Sequence, residues 1–459
     1  MKPIPLKFPV SSNRSRSDSS DGSRLVNLFA NILPDSSDGP KAVLYGTPGT
    51  TLFATLPTWP VLAMIEMGDK LYAVTATHLY QVEWYGAFTD LGPVTLTGSR
   101  VSIAANGIQT VFVDGAKGYY YSVSGGLHEF TGDGWYPAST VTFQDGYFIF
   151  NRAGTGQFFI SNLLDITFDA TMWATAEQAP DDTACVISDK RVLWIFGKES
   201  GEIWYDSGNS LFPFERVAGT FIEVGIMSPY TAARIGGSVF WLASDGSVYR
   251  TNGYTPQKVS TEAVEYSINT PLIGDAFAYT YSEEGHQFYV LTIPNKNLTW
   301  VYDVTAQLWH ERSHFQFGRH ISNCFCRLSK YGLNLVGDFQ NGNIYVMNMD
   351  SYTDDGTPIK REAIFPQLHA GAQGATMYSL EIEMEPSGQG SSSPQVMLQW
   401  SDDRKRTWSK ERWKPLGSVG EYGRRAKWGP LGYFIRRNVK FTVTDPIKVV
   451  INGAFAEYG

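Results

Sequence analysis

Short apolar runs alternate with small polar turns through the first three quarters of the chain, and the alternation recurs as a unit. Each unit holds a polar turn, an apolar strand, a second turn and an aromatic-rich strand. It reads MGDKLYAVTATHLYQVE from Met67, NGIQTVFVDGAKGYYYSV from Asn106 and QDGYFIFNRAGTGQFFIS from Gln144. It returns as SDKRVLWIFGKESGEIWYD from Ser188, GGSVFWLASDGSVYRTN from Gly236, EEGHQFYVLTIPNKNLTWVYD from Glu283 and SKYGLNLVGDFQNGNIYVMN from Ser329. Glycine and proline punctuate turns while aromatics favour strands, so the repeat is one of short strands. A period of roughly 40–50 residues made only of strands and turns is the pattern of β-propeller blades. Each blade buries its faces against its neighbours, and closing the ring protects strand edges. Seven units predict seven blades, or six if the first or last unit only supplies the strand that closes the ring. A large β-sandwich with hairpins that happen to look alike is the competing architecture.

After MNMDSYTDDGTP the period is lost. Alternating runs such as YSLEIEMEP, QVMLQWSDD and YFIRRNVKFTVTD predict an antiparallel β-sandwich, with SGQGSSSP as a flexible turn between two of its strands. At the other end, SSNRSRSDSSDGS over residues 11–23 is too polar to fold alone. The expectation is an all-β chain: an N-terminal arm, partly extended, over 1–44; a six- or seven-bladed β-propeller over 45–357; and a C-terminal antiparallel β-sandwich over 358–459.

Composition and charge narrow the function. Of 459 residues, 43% are hydrophobic and 18% charged, enough to bury a sizeable core. The net charge of −8 disfavours a tight, sequence-blind grip on nucleic acid, which needs phosphate-neutralising Lys and Arg. A passage through which DNA slides is compatible with it. Residues 359–459 carry 15 Lys or Arg against 10 Asp or Glu, net +5, which leaves −13 for the remainder. Three cysteines, Cys185, Cys324 and Cys326, are too few for a disulfide scaffold. Cys324 and Cys326 point the same way on a strand and make at most half a metal site; buried free thiols are the simpler expectation. The opening residues hold no signal-peptide run, and no stretch of about 18 apolar residues offers a membrane span.

One stretch carries a chemical signature. In WHERSHFQFGRH, residues 309–320, His310, Glu311 and His314 spell HExxH, and His320 stands where a third zinc ligand would. Zinc proteases place HExxH on a helix, so that both imidazoles reach one ion while the Glu polarises its water. The repeat argues for a strand. VYDVTAQLWHERS aligns with WYDSGNSLFPFERV: Tyr302 and Asp303 match Tyr205 and Asp206, and Glu311 and Arg312 match Glu215 and Arg216. Pro213 in the second copy would cost a helix about 3 kcal/mol. On a strand, His310 and His314 would lie roughly 13 Å apart, too far to share an ion. The Gly expected three residues before the third His is Phe317. His310, Glu311 and His314 are therefore judged a chance HExxH, and no catalytic, cofactor-binding or metal residue is expected. The sequence also lacks G-x-S-x-G, G-x-x-x-x-G-K and a helix-opening G-x-G-x-x-G.

In the C-terminal part, SDDRKRTW over Ser401–Trp408 resembles the Asp-box hairpin of sialidases, S-x-D-x-G-x-T-W, with Lys405 at its Gly position. There the Asp bonds backbone amides and has no catalytic role. Arg404, Lys405, Arg406, Lys410, Arg412, Lys414, Arg424, Arg425 and Lys427 read as a solvated surface rather than an acid-binding patch. Trp400, Trp408, Trp413 and Trp428 read as core packing.

RLVNLFAN followed by LYGTPGTTLF, the VYDVTAQLWHER blade, and LQWSDDRKRTWSKERWKPLGSVGEYGRRAKWGPLGYFIRR resemble, in that order, the phage stabilisation protein family. These packaged DNA stabilisation proteins are hub or nozzle subunits of short-tailed phage tails. The resemblance implies a virion structural protein without enzymatic activity. Six copies would form a ring beneath the portal and tail adaptor, continue the DNA channel and retain the genome. Tail needle, fibre or tailspike proteins would lie nearby, and double-stranded DNA would pass without sequence-specific contacts. It further implies location in the virion tail after assembly in the bacterial cytoplasm. An acidic channel wall would repel phosphate and ease passage. The competing readings are a glycan-binding or sialidase-like propeller, which should carry one Asp-box per blade, and a cellular interaction scaffold.

Overall fold

The computed structural model describes residues 3–14, 16, 22–33, 41–177, 179–268, 273–385, 394–417 and 425–459. Among them the chain is almost wholly β, with one short α-helix at Glu262–Ile268. None of the described helices is long and apolar enough to cross a membrane.

Seven four-stranded antiparallel blades follow one another around a ring. Blade 1 runs from its inner strand Val61–Met67 to Phe88–Pro93, blade 2 from Ser102–Ala105 to Gly126–Glu129, and blade 3 from Val141–Gln144 to Trp173–Thr175. Blade 4 spans Thr183–Asp189 to Phe214–Arg216, blade 5 Ala233–Ile235 to Thr255–Lys258, and blade 6 Phe277–Glu283 to Leu308–Arg312. Blade 7 takes three strands, Ser322–Leu328, Leu333–Asp338 and Asn343–Asn348, from late in the chain and its outer strand, Gly49–Thr55, from far upstream. The ring closes where Asn323 Nδ2 donates to the Val61 carbonyl at 2.8 Å and Ser329 Oγ to Glu66 at 2.7 Å.

The two middle strands of every blade are the sequence repeat, and their unbroken apolar runs have a simple cause. A blade is covered on both faces, so both sets of alternating side chains are buried. In blade 3, Phe148 and Phe150 pack with Ala104, Val111 and Val113 of blade 2, while Ile149 packs with Val186, Leu193 and Ile195 of blade 4.

The C-terminal part forms a two-sheet sandwich that is not built from the C-terminal part alone. One sheet runs in the order Leu28–Leu33, Lys41–Gly46, Val450–Tyr458, Ala375–Met384 and Ala426–Trp428, and Ile4–Pro5 also pairs with Val450–Tyr458. Leu6, Leu25, Leu28, Ala30 and Leu44 of the arm sit in the same core as Leu380, Ile382, Val396, Leu398 and Phe441. The other sheet is continuous with blade 6. Strand Arg24–Val26 pairs in parallel with the outer blade-6 strand at Val26 and Glu311, and antiparallel with Arg361–Ile364, which leads on to Arg436–Val443. The SGQGSSSP turn, apart from Pro394, and Arg424 lie outside the described residues.

The alternation of the next arm strand divides it between two cores. Leu28 and Ala30 face the sandwich core, whereas Phe29 packs with Phe288, Val290, Val301 and Tyr345 of blades 6 and 7. Successive side chains of a strand point to opposite faces, so one residue in two serves each domain. The arm is therefore laminated between propeller and sandwich.

A second cross-link lies within the sandwich. Arg437, whose side chain is 1% exposed, holds Asp402 through Nε–Oδ1 at 2.7 Å and Nη2–Oδ2 at 2.8 Å. Asp402→Ala should cost about 2 kcal/mol, because it strands a buried guanidinium. Urea unfolding checks this; an unchanged midpoint would mean that the Leu431 carbonyl, 3.0 Å from Nη1, suffices as its partner.

Candidate functional site

The HExxH stretch lies on the outer strand of blade 6, Leu308–Arg312, and is extended. His310 stands opposite Val301 and Glu311 opposite Trp300 on the neighbouring strand. His314 lies beyond the strand, where its N–H donates to the Arg319 carbonyl at 3.0 Å and its ring stacks on Phe317 at 4.8 Å. His320 Nδ1 is 2.8 Å from Ser322 Oγ. Among the described residues no group of three or more His, Cys, Asp or Glu is placed to hold a metal. One detail of the predicted register is corrected. Glu215 pairs with Tyr205, but Glu311 pairs with Trp300, and the residue opposite Tyr302 is Trp309. The connection before Leu308 is shorter than the one before Phe214, which slides the sixth-unit strand by two positions while keeping its faces.

These residues form the dock for the arm. Glu311, with a side chain 3% exposed, accepts Arg24 Nε at 2.8 Å and Arg24 Nη2 at 2.8 Å in a bidentate pair, and Arg14 Nη1 at 3.2 Å. Its carbonyl accepts the Asn27 N–H at 2.8 Å, and Asn27 Nδ2 reaches the Ser313 and Lys360 carbonyls at 2.8 and 2.9 Å. Upstream, the Ser12 N–H and Ser11 Oγ both donate to the Trp309 carbonyl, at 2.8 and 3.0 Å. His310 is buried against Phe29 and Phe288, with ring centroids 6.1 and 5.9 Å away. Burial pushes its pKa down to about 3, helped by the Arg312 and His286 charges, so the imidazole is neutral. Burial likewise holds His320 well below the usual histidine value.

Glu311→Gln therefore tests what this glutamate does. It keeps the shape and removes the charge from the Arg24 and Arg14 bonds, so a loss of about 2 kcal/mol is expected. The arm around residues 11–23 should also become easier to cleave by added protease. Unchanged melting and unchanged cleavage would contradict the docking role.

The Asp-box resemblance holds in the hairpin itself. Asp403 Oδ1 accepts Ser401 Oγ at 2.7 Å and the Thr407 N–H at 2.9 Å, and Ser401 Oγ accepts the Lys405 N–H at 2.8 Å. The Thr407 bonds, with Ser401, hold the Asp403 carboxyl down at about 2. Arg404 and Lys405 have φ of 62° and 67°, the left-handed region that glycine favours. Trp428 is buried, but Trp413 is 50% exposed, which corrects its assignment to the core: its short strand, Arg412–Pro415, lies at the sheet edge with every residue at least partly exposed. Of the basic cluster, Arg425 pairs with Glu381 at 2.9 Å and Lys427 with the same carboxylate at 3.9 Å. The three thiols are free, and burial pushes Cys185 and Cys324 up to about 12, too high for a reactive thiolate.

A propeller followed by a sandwich is also what comparison with known families finds. The family model for the bacteriophage P22 Gp10 β-propeller matches residues 8–352, and that for the P22 Gp10 β-sandwich matches residues 360–459. The chain belongs to the P22 Gp10 phage stabilisation family. A P22 Gp10-like chain is a phage tail and DNA-stabilisation protein, and the family is a structural one. No curated protein matches the sequence. Among solved structures, the designed Ika8 protein aligns at TM-score 0.42 and 8% identity, covering 65% of this chain and 99% of its own. A chain of the mitotic checkpoint complex aligns at TM-score 0.42 and 11% identity, covering 68% and 95%. The C-terminal WD40 domain of Sif2 aligns at 0.39 and 13%, covering 76% and 99%. Likeness at this level carries no functional argument.

Proposed function

We propose that the chain is a tail hub or nozzle subunit that forms a ring, continuing the DNA channel below the portal and adaptor and helping to retain packaged DNA. The observation that carries this reading is the ordered match of both domains to one phage stabilisation family, over residues 8–352 and 360–459. The arm supports it, because a propeller and a sandwich joined through one continuous sheet make a stiff subunit. DNA passes along the lumen between subunits and not along a propeller axis, where the cavity is only about 460 Å³, the size of a small-molecule site. The acidic balance of the propeller suits a lumen wall that does not grip phosphate. The partners are further copies of the chain, six in the reading favoured here, the tail adaptor above, and needle, fibre or tailspike proteins nearby. Assembly would take place in the bacterial host cytoplasm.

Native mass spectrometry of the chain with its tail adaptor tests the reading. The expected species is a sixfold multiple of the 51.0 kDa chain bound to adaptor. A chain that stays a monomer with adaptor present would refute the ring. Imaging of the assembled tail tests the lumen, and a strongly basic lumen wall would refute the low-friction passage.

A further inference from the structure

The inner strands of all seven blades enclose an axial cavity of about 460 Å³. Its wall mixes polar and apolar surface about equally, with the apolar side chains of Leu62, Val101, Val141, Val186 and Phe277 among those that line it. It includes two arginines, Arg100 and Arg234, and no Asp or Glu. That is an unexpected balance in a chain of net charge −8. A cation held away from bulk water without a carboxylate is costly unless an anion joins it.

Arg100 is also held in place. Its guanidinium lies over the Phe277 ring, 3.7 Å from the centroid. Nη1 donates to the Asn323 carbonyl at 3.1 Å and to Asn323 Oδ1 at 2.9 Å. No bond from Nε or Nη2 to a described residue accompanies these; the charge of Asp275 acts on Arg100 and Arg319 alike, but it forms no ion pair with Arg100 among the described residues. Arg319, 3% exposed, adds a second cation beside the same ring, 5.9 Å from the Phe277 centroid, and its Nε is buried without a partner. Burial, then the Arg319 charge, lowers the Arg100 pKa to about 10, so it still carries its charge at neutral pH. Phe277 and Asn323 stand at the starts of their inner strands and Arg100 just before its own, so the group marks one mouth of the cavity. Arg234 is exposed and donates to the Ser188 carbonyl at 2.7 Å, near the end of the blade-4 inner strand, at the other mouth.

We propose that the Arg100 mouth of the axial cavity binds a small organic anion, its carboxylate or phosphate group taken by the Arg100 fork and its apolar body lying along the cavity wall. A planar guanidinium with a free edge suits an oxyanion, and the side chains of Leu62, Val101 and Phe277 offer contact to an apolar body that a bare ion lacks. The site is independent of the arm dock and of ring assembly.

Isothermal titration of the full chain with benzoate, phenylphosphate and the neutral benzyl alcohol tests the site. One or both anions should bind, and the tighter of them identifies the head group. Benzyl alcohol should bind at least about tenfold more weakly, as should the preferred anion to Arg100→Met. Arg234→Met, at the other mouth, should leave binding unchanged. Benzyl alcohol matching the anions, no binding by either anion, or undiminished binding to a folded Arg100→Met would overturn the proposal. Where Arg100→Met does not fold, the comparison of charged and neutral probes on the native chain decides by itself.

Discussion

A protein lacking residues 1–33 should lose the cooperative unfolding of its C-terminal sandwich. Leu6, Leu25, Leu28 and Ala30 belong to that core, and Leu25 and Leu28 are 0% and 1% exposed. Truncating one buried leucine to alanine costs about 2–5 kcal/mol, against a whole-domain stability of about 5–15 kcal/mol. Removing three leucines, the strand Leu28–Leu33 and the strand Arg24–Val26 between the two domains exceeds what the remainder can offset. Leu25→Ala alone should cost about 3 kcal/mol. The check is near-ultraviolet circular dichroism and limited proteolysis of the truncated chain, beside residues 358–459 expressed alone. A cooperative melt of the isolated fragment at the temperature of the full chain would show that the arm is dispensable.

Moving from pH 7 to pH 5 should destabilise the protein through two histidines, by about 2 kcal/mol from His310, with His320 adding in the same direction. His310 titrates at about 3 in the fold and His320 well below its ordinary 6.5. The unfolded chain takes up a proton on each near pH 6.5, while the folded chain does not. Their contribution is thus fully present above pH 6.5, declines as the pH falls, and levels off only below the folded values. His310→Phe keeps a ring among Phe29 and Phe288 and removes the titration, so about 2 kcal/mol of the loss should disappear. Urea midpoints of both proteins at pH 5, 6 and 7 measure this. Parallel pH slopes would show that His310 is not held neutral.

Much of the fold was legible because a blade buries both faces. That demands the apolar runs in the two middle strands, such as Tyr147–Asn151 and Gln157–Ile160, and these are the repeat units. The outer strands were not legible. Phe88–Pro93 and Trp173–Thr175 face solvent, so no hydrophobic pattern marks them. The strand character of His310 and Glu311 followed from Pro213 in the matching unit, although the two-residue slide did not, since it depends on the length of one connection. Trp413 was misplaced because composition does not distinguish an edge strand from a central one.

By itself the sequence determined a ring of blades, an appended sandwich and a polar arm, because alternation and turn residues are local properties. Only the tertiary structure decided that the arm belongs to both domains, that Glu311 is its anchor, and that Arg100 faces a cavity without a carboxylate. Each of these depends on which distant residues meet: Arg24 and Glu311 are brought to 2.8 Å, and Arg100 and Asn323 to 2.9 Å, by closure of the ring and packing of the sandwich upon it. No local pattern encodes such meetings.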